Sequence, residues 1–106
     1  MKSDSVYKQQ IMDCITKIER YVNASTKEDF MKNDMMQSGV IMQLALIGEL
    51  SKRISDQSKK SINLPWKQIA SFRDRAIHDY FELDLEYVWL TIKNDLPELK
   101  LSLENI

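Results

Sequence analysis

Residues 73–80 read Arg-Asp-Arg-Ala-Ile-His-Asp-Tyr and hold the only histidine in the chain. A histidine trades protons near neutral pH. An arginine clamps a phosphate with paired N–H donors and stabilises charge that builds on it. Arg73 and His78 are therefore a minimal kit for opening a phosphodiester without a metal. Asp74 stands four residues before His78, so on a helix the two share a face and the carboxylate could orient the imidazole. Arg73 and His78 are five apart, about 140° around an ideal helix. They meet at one point only if the arginine reaches around, if the helix ends near His78, or if two copies build the site across a symmetric interface. That spacing favours a dimer.

A plainer reading stands beside this one. A lone histidine near a helix end is commonly a surface or capping residue, and Arg75 with Asp79 has the spacing of a routine i,i+4 ion pair. Other chemistries fit less well. One histidine and one cysteine do not supply a zinc site of the usual kind. The chain has no glycine-rich phosphate loop, no Gly-x-Ser-x-Gly elbow and no His-Glu-x-x-His helix.

The elements that must position these residues read as helices. Only two glycines and two prolines occur in 106 residues, with 43% hydrophobic and 29% charged residues, which suits one folded helical domain. Ile11, Cys14, Ile15 and Ile18 mark an amphipathic helix over about Ser5 to Val22. Ser25-x-x-Glu28 is a candidate capping box for a helix running on to about Ser58, kinked near Asn33-Asp34. Its apolar stripe is Met36, Val40, Leu44, Ile47, Leu50 or Ser51, and Ile54, and Gly39 and Gly48 inside it suggest close approach of another backbone or a ligand. Lys59 to Leu64 reads as a loop, and Pro65 suits the first turn of a helix carrying Trp66, Ile69, Phe72 or Arg73, Ala76 and Tyr80. Asp84 is a cap for a last helix through Leu85, Val88, Trp89, Ile92 and Leu96, which Pro97 ends; Leu99, Leu101 and Leu103 follow as a short extension.

The net charge of −1 argues against a globally basic nucleic-acid binder. Between Lys52 and Arg75, however, seven basic residues face two acidic ones, a local +5, and such a face attracts a polyanion even when the whole does not. The lone Cys14 excludes an intramolecular disulfide, and no apolar run approaches the ~20 residues of a membrane span. A cytoplasmic protein is expected.

Arg73-x-x-x-x-His78-x-Tyr80 resembles the signature of the HEPN superfamily in its HepT-like toxin branch. Ile47-Gly48-Glu49, Pro65-Trp66-x-x-Ile69, Val88-Trp89 and Asp95-Leu96-Pro97 extend the likeness over about Val6 to Leu99. The resemblance implies an all-α, up-and-down bundle of about four to five helices, a homodimer, and a metal-independent endoribonuclease that needs no cofactor. It implies that His78 is general base or acid for attack by the RNA 2′-hydroxyl, and that Arg73 holds the phosphate. Products would carry a 2′,3′-cyclic phosphate and a free 5′-hydroxyl. Asp74 would fill the polar position after the arginine, with Glu49 a secondary site candidate. The same likeness implies a toxin–antitoxin system in which an MntA-like nucleotidyltransferase antitoxin transfers AMP to Tyr80. An alternative is a non-enzymatic helical dimer that engages the nucleotidyltransferase as substrate or scaffold. A purely structural subunit would leave the polar motif without a role.

Overall fold

The computed structural model describes residues 3–104, which form seven α-helices and no strand. They are α1 (Asp4–Tyr21), α2 (Lys27–Met31), α3 (Asp34–Lys52), α4 (Asp56–Ser61), α5 (Trp66–His78), α6 (Leu85–Leu90) and α7 (Leu96–Leu103). A 3₁₀ turn at Tyr80–Glu82 follows α5, and a π-helical turn at Thr91–Asp95 joins α6 to α7 in one rod. Four long elements thus make the bundle, with α3 packed between α1 and α5 and the α6–α7 rod closing on α1. This is the all-α bundle expected. Residue 106, at the end of the anticipated extension, lies outside the described residues.

The amphipathic stripes explain the packing. Ile11, Ile15 and Ile18 of α1 are buried in one core with Val40 and Ile47 of α3, and Phe30 of α2 packs its ring 5.5 Å from Trp89 of the rod. Gln43 is the exception on α3: its Oε1 is buried with no hydrogen-bond partner among the described residues. Gln43→Met keeps the volume and removes the orphaned acceptor, so it should raise stability by about 1 kcal/mol in urea denaturation.

Local boundaries depart from the sequence reading in four places. The capping box sits one residue later, at Thr26 and Asp29, whose side chains and backbone N–H groups bond reciprocally. The long helix does not run to Ser58. Asn33 caps a fresh start by accepting from the Met36 N–H, and α3 ends at Lys52. Half of the expected 59–64 loop, residues 59–61, belongs to α4. Its cap, Ser55, is held by Asp4: the Ser55 hydroxyl and N–H and the Ser58 hydroxyl all donate to that carboxylate, at 2.6, 2.9 and 2.6 Å. Finally, Pro97 does not end the last helix; it sits in the first turn of α7. The π-helical turn before it shifts the carbonyls that a proline ring would otherwise strike, so the rod continues.

The hydrogen bonds from Ser55 and Ser58 hold the Asp4 carboxyl below its ordinary value of 3.8. A depressed carboxylate contributes stability above its unfolded pKa that is lost as pH falls through the folded one. Acid titration of the fold should therefore show a loss below about pH 4 that Asp4→Asn reduces, read as a smaller change in denaturation midpoint over that window.

Candidate active site on the last turns of α5

α5 begins where Pro65 offers its carbonyl to the Ile69 N–H, and it crosses α3 at Gly48. A Cβ on Gly48 would lie 2.8 Å from the Ile69 carbonyl oxygen and 3.2 Å from Arg73 Cβ. The absence of a side chain there lets the two backbones touch and seats Arg73 beside Glu49. Gly48→Ala gains helix propensity of about 1 kcal/mol but forces the crossing apart. We expect a net loss of about 1–2 kcal/mol, measured by chemical denaturation, with a displaced Arg73.

Arg73 is half-buried and tethered on two sides. Its Nε lies 3.4 Å from Glu49 Oε2, and its Nη1 donates to Asp74 Oδ1 at 3.3 Å. Glu49 also faces Arg53 at 3.6 Å, and Asp74 faces Lys52 at 3.7 Å. Three cations and two carboxylates thus form one surface network in which positive charge exceeds negative by one. Lys52 and Arg53 come to the site from the end of α3, which ties part of the basic segment to the motif. Asp74 is joined to Arg73 and Lys52 in this network, and it forms no hydrogen bond or ion pair with His78.

His78 is the last residue of α5 and is exposed. Arg73 and His78 both lie within α5, so they keep the separation of about 140° around the helix. Asp79 leaves helical geometry, and the chain turns through Tyr80–Glu82. Tyr80 thus lies beyond the helix, not on its apolar stripe. Its phenol is 2.9 Å from the Ser38 hydroxyl of α3, and its ring meets Phe81 edge-on at 5.5 Å. No local signal in the sequence marks Ser38, since it is 42 residues away from Tyr80. The i,i+4 pair expected of Arg75 and Asp79 does not form. The Arg75 guanidinium lies over the rings of Phe72 and Tyr87, at 5.5 and 6.0 Å, on another face of α5.

The arrangement gives an exposed imidazole at a helix end, a guanidinium one and a half turns back, and a phenol beyond. The ribonuclease HepT-like family description matches residues 11–106 of the chain. The chain belongs to this family. A protein of Thermococcus cleftensis described as a probable ribonuclease HepT is 36% identical over 106 residues, covering 99% of this chain and 96% of the relative. Two more relatives carry provisional descriptions as RNases. One, from Caldanaerobacter subterraneus subsp. tengcongensis, is 34% identical over 108 residues, covering 100% of this chain and 96% of its own. The other, from Methanocaldococcus jannaschii, is 40% identical over 80 residues, covering 74% and 69%. No solved structure matches the chain. As in the sequence reading, no helix among the described residues is long and apolar enough to cross a membrane. This HepT-like chain therefore joins a helical ribonuclease family with its one histidine free at the end of α5.

Proposed function

We propose that this single-domain HepT-like protein, residues 1–106, is a cytoplasmic toxin that cleaves RNA without a metal. The observation that carries the reading is the end of α5 at His78, which leaves the imidazole exposed beyond Arg73. His78 takes the proton from a ribose 2′-hydroxyl. The 2′-oxygen bonds to the adjacent phosphorus, the P–O5′ bond breaks, and the leaving oxygen takes up a proton. Arg73 meets the charge on the phosphate oxygens, exchanging its half-exposed pairs with Glu49 and Asp74 for the substrate. A substrate with one 2′-deoxy sugar at the cut tests this: that bond should resist while its neighbours are cut. Equal cleavage at the deoxy position would sink 2′-hydroxyl attack.

The working unit in this reading is a homodimer. On α3, Met35, Met42 and Leu46 follow one outward face and are 80%, 58% and 40% exposed. Ser38 lies on that face and ties it to Tyr80, next to Phe81, which is 95% exposed. A helix apolar on both faces asks for cover on both. Pairing copies here supplies it and brings two copies of the site together, so that one imidazole serves as base and the other as acid. Met42→Glu should convert the dimer to monomer in light scattering and lower cleavage with it.

Tyr80 is the proposed target of an MntA-like nucleotidyltransferase antitoxin. Tyr80 is 37% exposed, and an added AMP would set a bulky negative charge near His78, repelling an RNA phosphate. After transfer the Tyr80 oxygen has no proton, so its bond to Ser38 persists only with Ser38 as donor.

A further inference from the structure

On another side of α5 from the Arg73–Glu49 contact lies a feature that RNA cleavage does not use. An open apolar cleft of about 590 Å³ is lined by Leu44 and Ile47 of α3, Phe72 of α5, and Leu96 and Leu99 of the rod. A second hollow of about 390 Å³ adjoins it, and the two share Phe72, Arg75 and Tyr87. Together they form one trough beside the rod, and the π-helical turn contributes Thr91 and Asp95 to its wall. Its rim is acidic. Asp95 and Glu98 edge the larger hollow, and Asp79, Glu82 and Asp84 edge the smaller. Asp84 is occupied in capping α6. Asp79, Glu82, Asp95 and Glu98 form no ion pair among the described residues. The cation in the trough, Arg75, lies over two rings instead of against a carboxylate. From 79 to 98 the sequence has six acidic residues against one basic, a net −5 that mirrors the +5 of residues 52–75.

RNA is repelled by such a rim, and in the dimer proposed above the second copy is seated on the outward face of α3 instead. An apolar trough under unpaired carboxylates matches a helix with leucine-like residues on one face and lysine or arginine flanking them. We propose that this trough docks a basic amphipathic helix of a partner protein. The apolar face of that helix seats over Phe72, Leu96 and Leu99, and its cations lie against Asp79, Glu82, Asp95 and Glu98. This goes beyond the nuclease reading and depends neither on RNA chemistry nor on modification of Tyr80.

The probe is a synthetic Leu/Lys amphipathic helix of about 16 residues, about 24 Å long, labelled for anisotropy. A control peptide carries Glu for every Lys. The titration of ¹⁵N-labelled full-length protein should shift amides of Phe72, Arg75, Tyr87, Thr91, Asp95 and Leu96, and the Glu peptide should not bind. Asp95→Lys/Glu98→Lys should weaken the Lys peptide about tenfold at low salt. Ser71→Trp, at an exposed position lining the cleft, should block it while thermal melting shows both variants folded. Equal binding of both peptides, or undiminished binding to folded variants, would overturn the proposal. So would shifts at Met35, Met42 and Phe81, which mark the face between copies, or trough shifts with single-stranded RNA and none with the Lys peptide.

Discussion

His78→Ala leaves a folded protein whose RNA cleavage falls by about 10²–10⁴-fold, the usual contribution of a positioned acid or base. Stability should hardly move. His78 is exposed at the end of α5, and truncating such a surface side chain changes folding by about 0.5 kcal/mol or less. The two measurements together separate chemistry from structure. A histidine that merely finishes a helix would alter neither rate nor melting. One that organises the dimer would change association in light scattering, which the exchange should leave intact. If His78→Ala cleaves as fast as the parent, His78 is neither acid nor base in the reaction; if neither protein cleaves, the chain is better read as a substrate or scaffold for the nucleotidyltransferase.

The second large effect belongs to Arg73. Arg73→Ala should lower cleavage by about 10²–10³-fold, the range for losing one donor to a developing oxyanion. Arg73→Lys should recover only part of this, because an ammonium lacks the planar fork that grips two phosphate oxygens. Stability again supplies the contrast. The pairs to Glu49 and Asp74 are at 3.4 and 3.3 Å with about a third or more of each side chain exposed, so they contribute about 1 kcal/mol or less. A two-decade loss of rate with less than about 1 kcal/mol lost in urea denaturation would mark Arg73 as acting on substrate. A large drop in stability would instead make the Glu49–Arg73 contact a fastening between α3 and α5.

Much of this was legible in the residues, and the remainder was hidden for identifiable reasons. The apolar spacing of Ile11, Ile15 and Ile18 located α1, because one period of 3.6 was enough. Asp84 was readable as a cap, and it accepts from the Glu86 and Tyr87 N–H groups. Gly48 signalled a close crossing, and α5 supplies the neighbour. The capping box slipped by one because Ser25-x-x-Glu28 and Thr26-x-x-Asp29 both fit the pattern. Ala24, with φ at 61°, turns the chain so that Thr26 caps the helix. The break after Lys52 depends on Asp4 gripping Ser55 from 51 residues away, which no local window contains. The spacing of Arg75 and Asp79 allows an i,i+4 ion pair, whereas Phe72 and Tyr87 hold the Arg75 guanidinium over their rings. At the site, types and order were plain in the sequence. The tether of Arg73 to Glu49 and that of Tyr80 to Ser38 are tertiary facts.

The central claim is that the exposed His78 and the tethered Arg73 cleave RNA through its own 2′-hydroxyl. The most direct measurement is digestion of end-labelled RNA in EDTA by purified protein whose Tyr80 is unmodified by intact mass. Product ends are then read by mass spectrometry. The account predicts cleavage that leaves 2′,3′-cyclic phosphate and 5′-hydroxyl ends and that disappears with His78→Ala. Intact RNA from a folded dimer, or products with 3′-hydroxyl and 5′-phosphate ends, would contradict it.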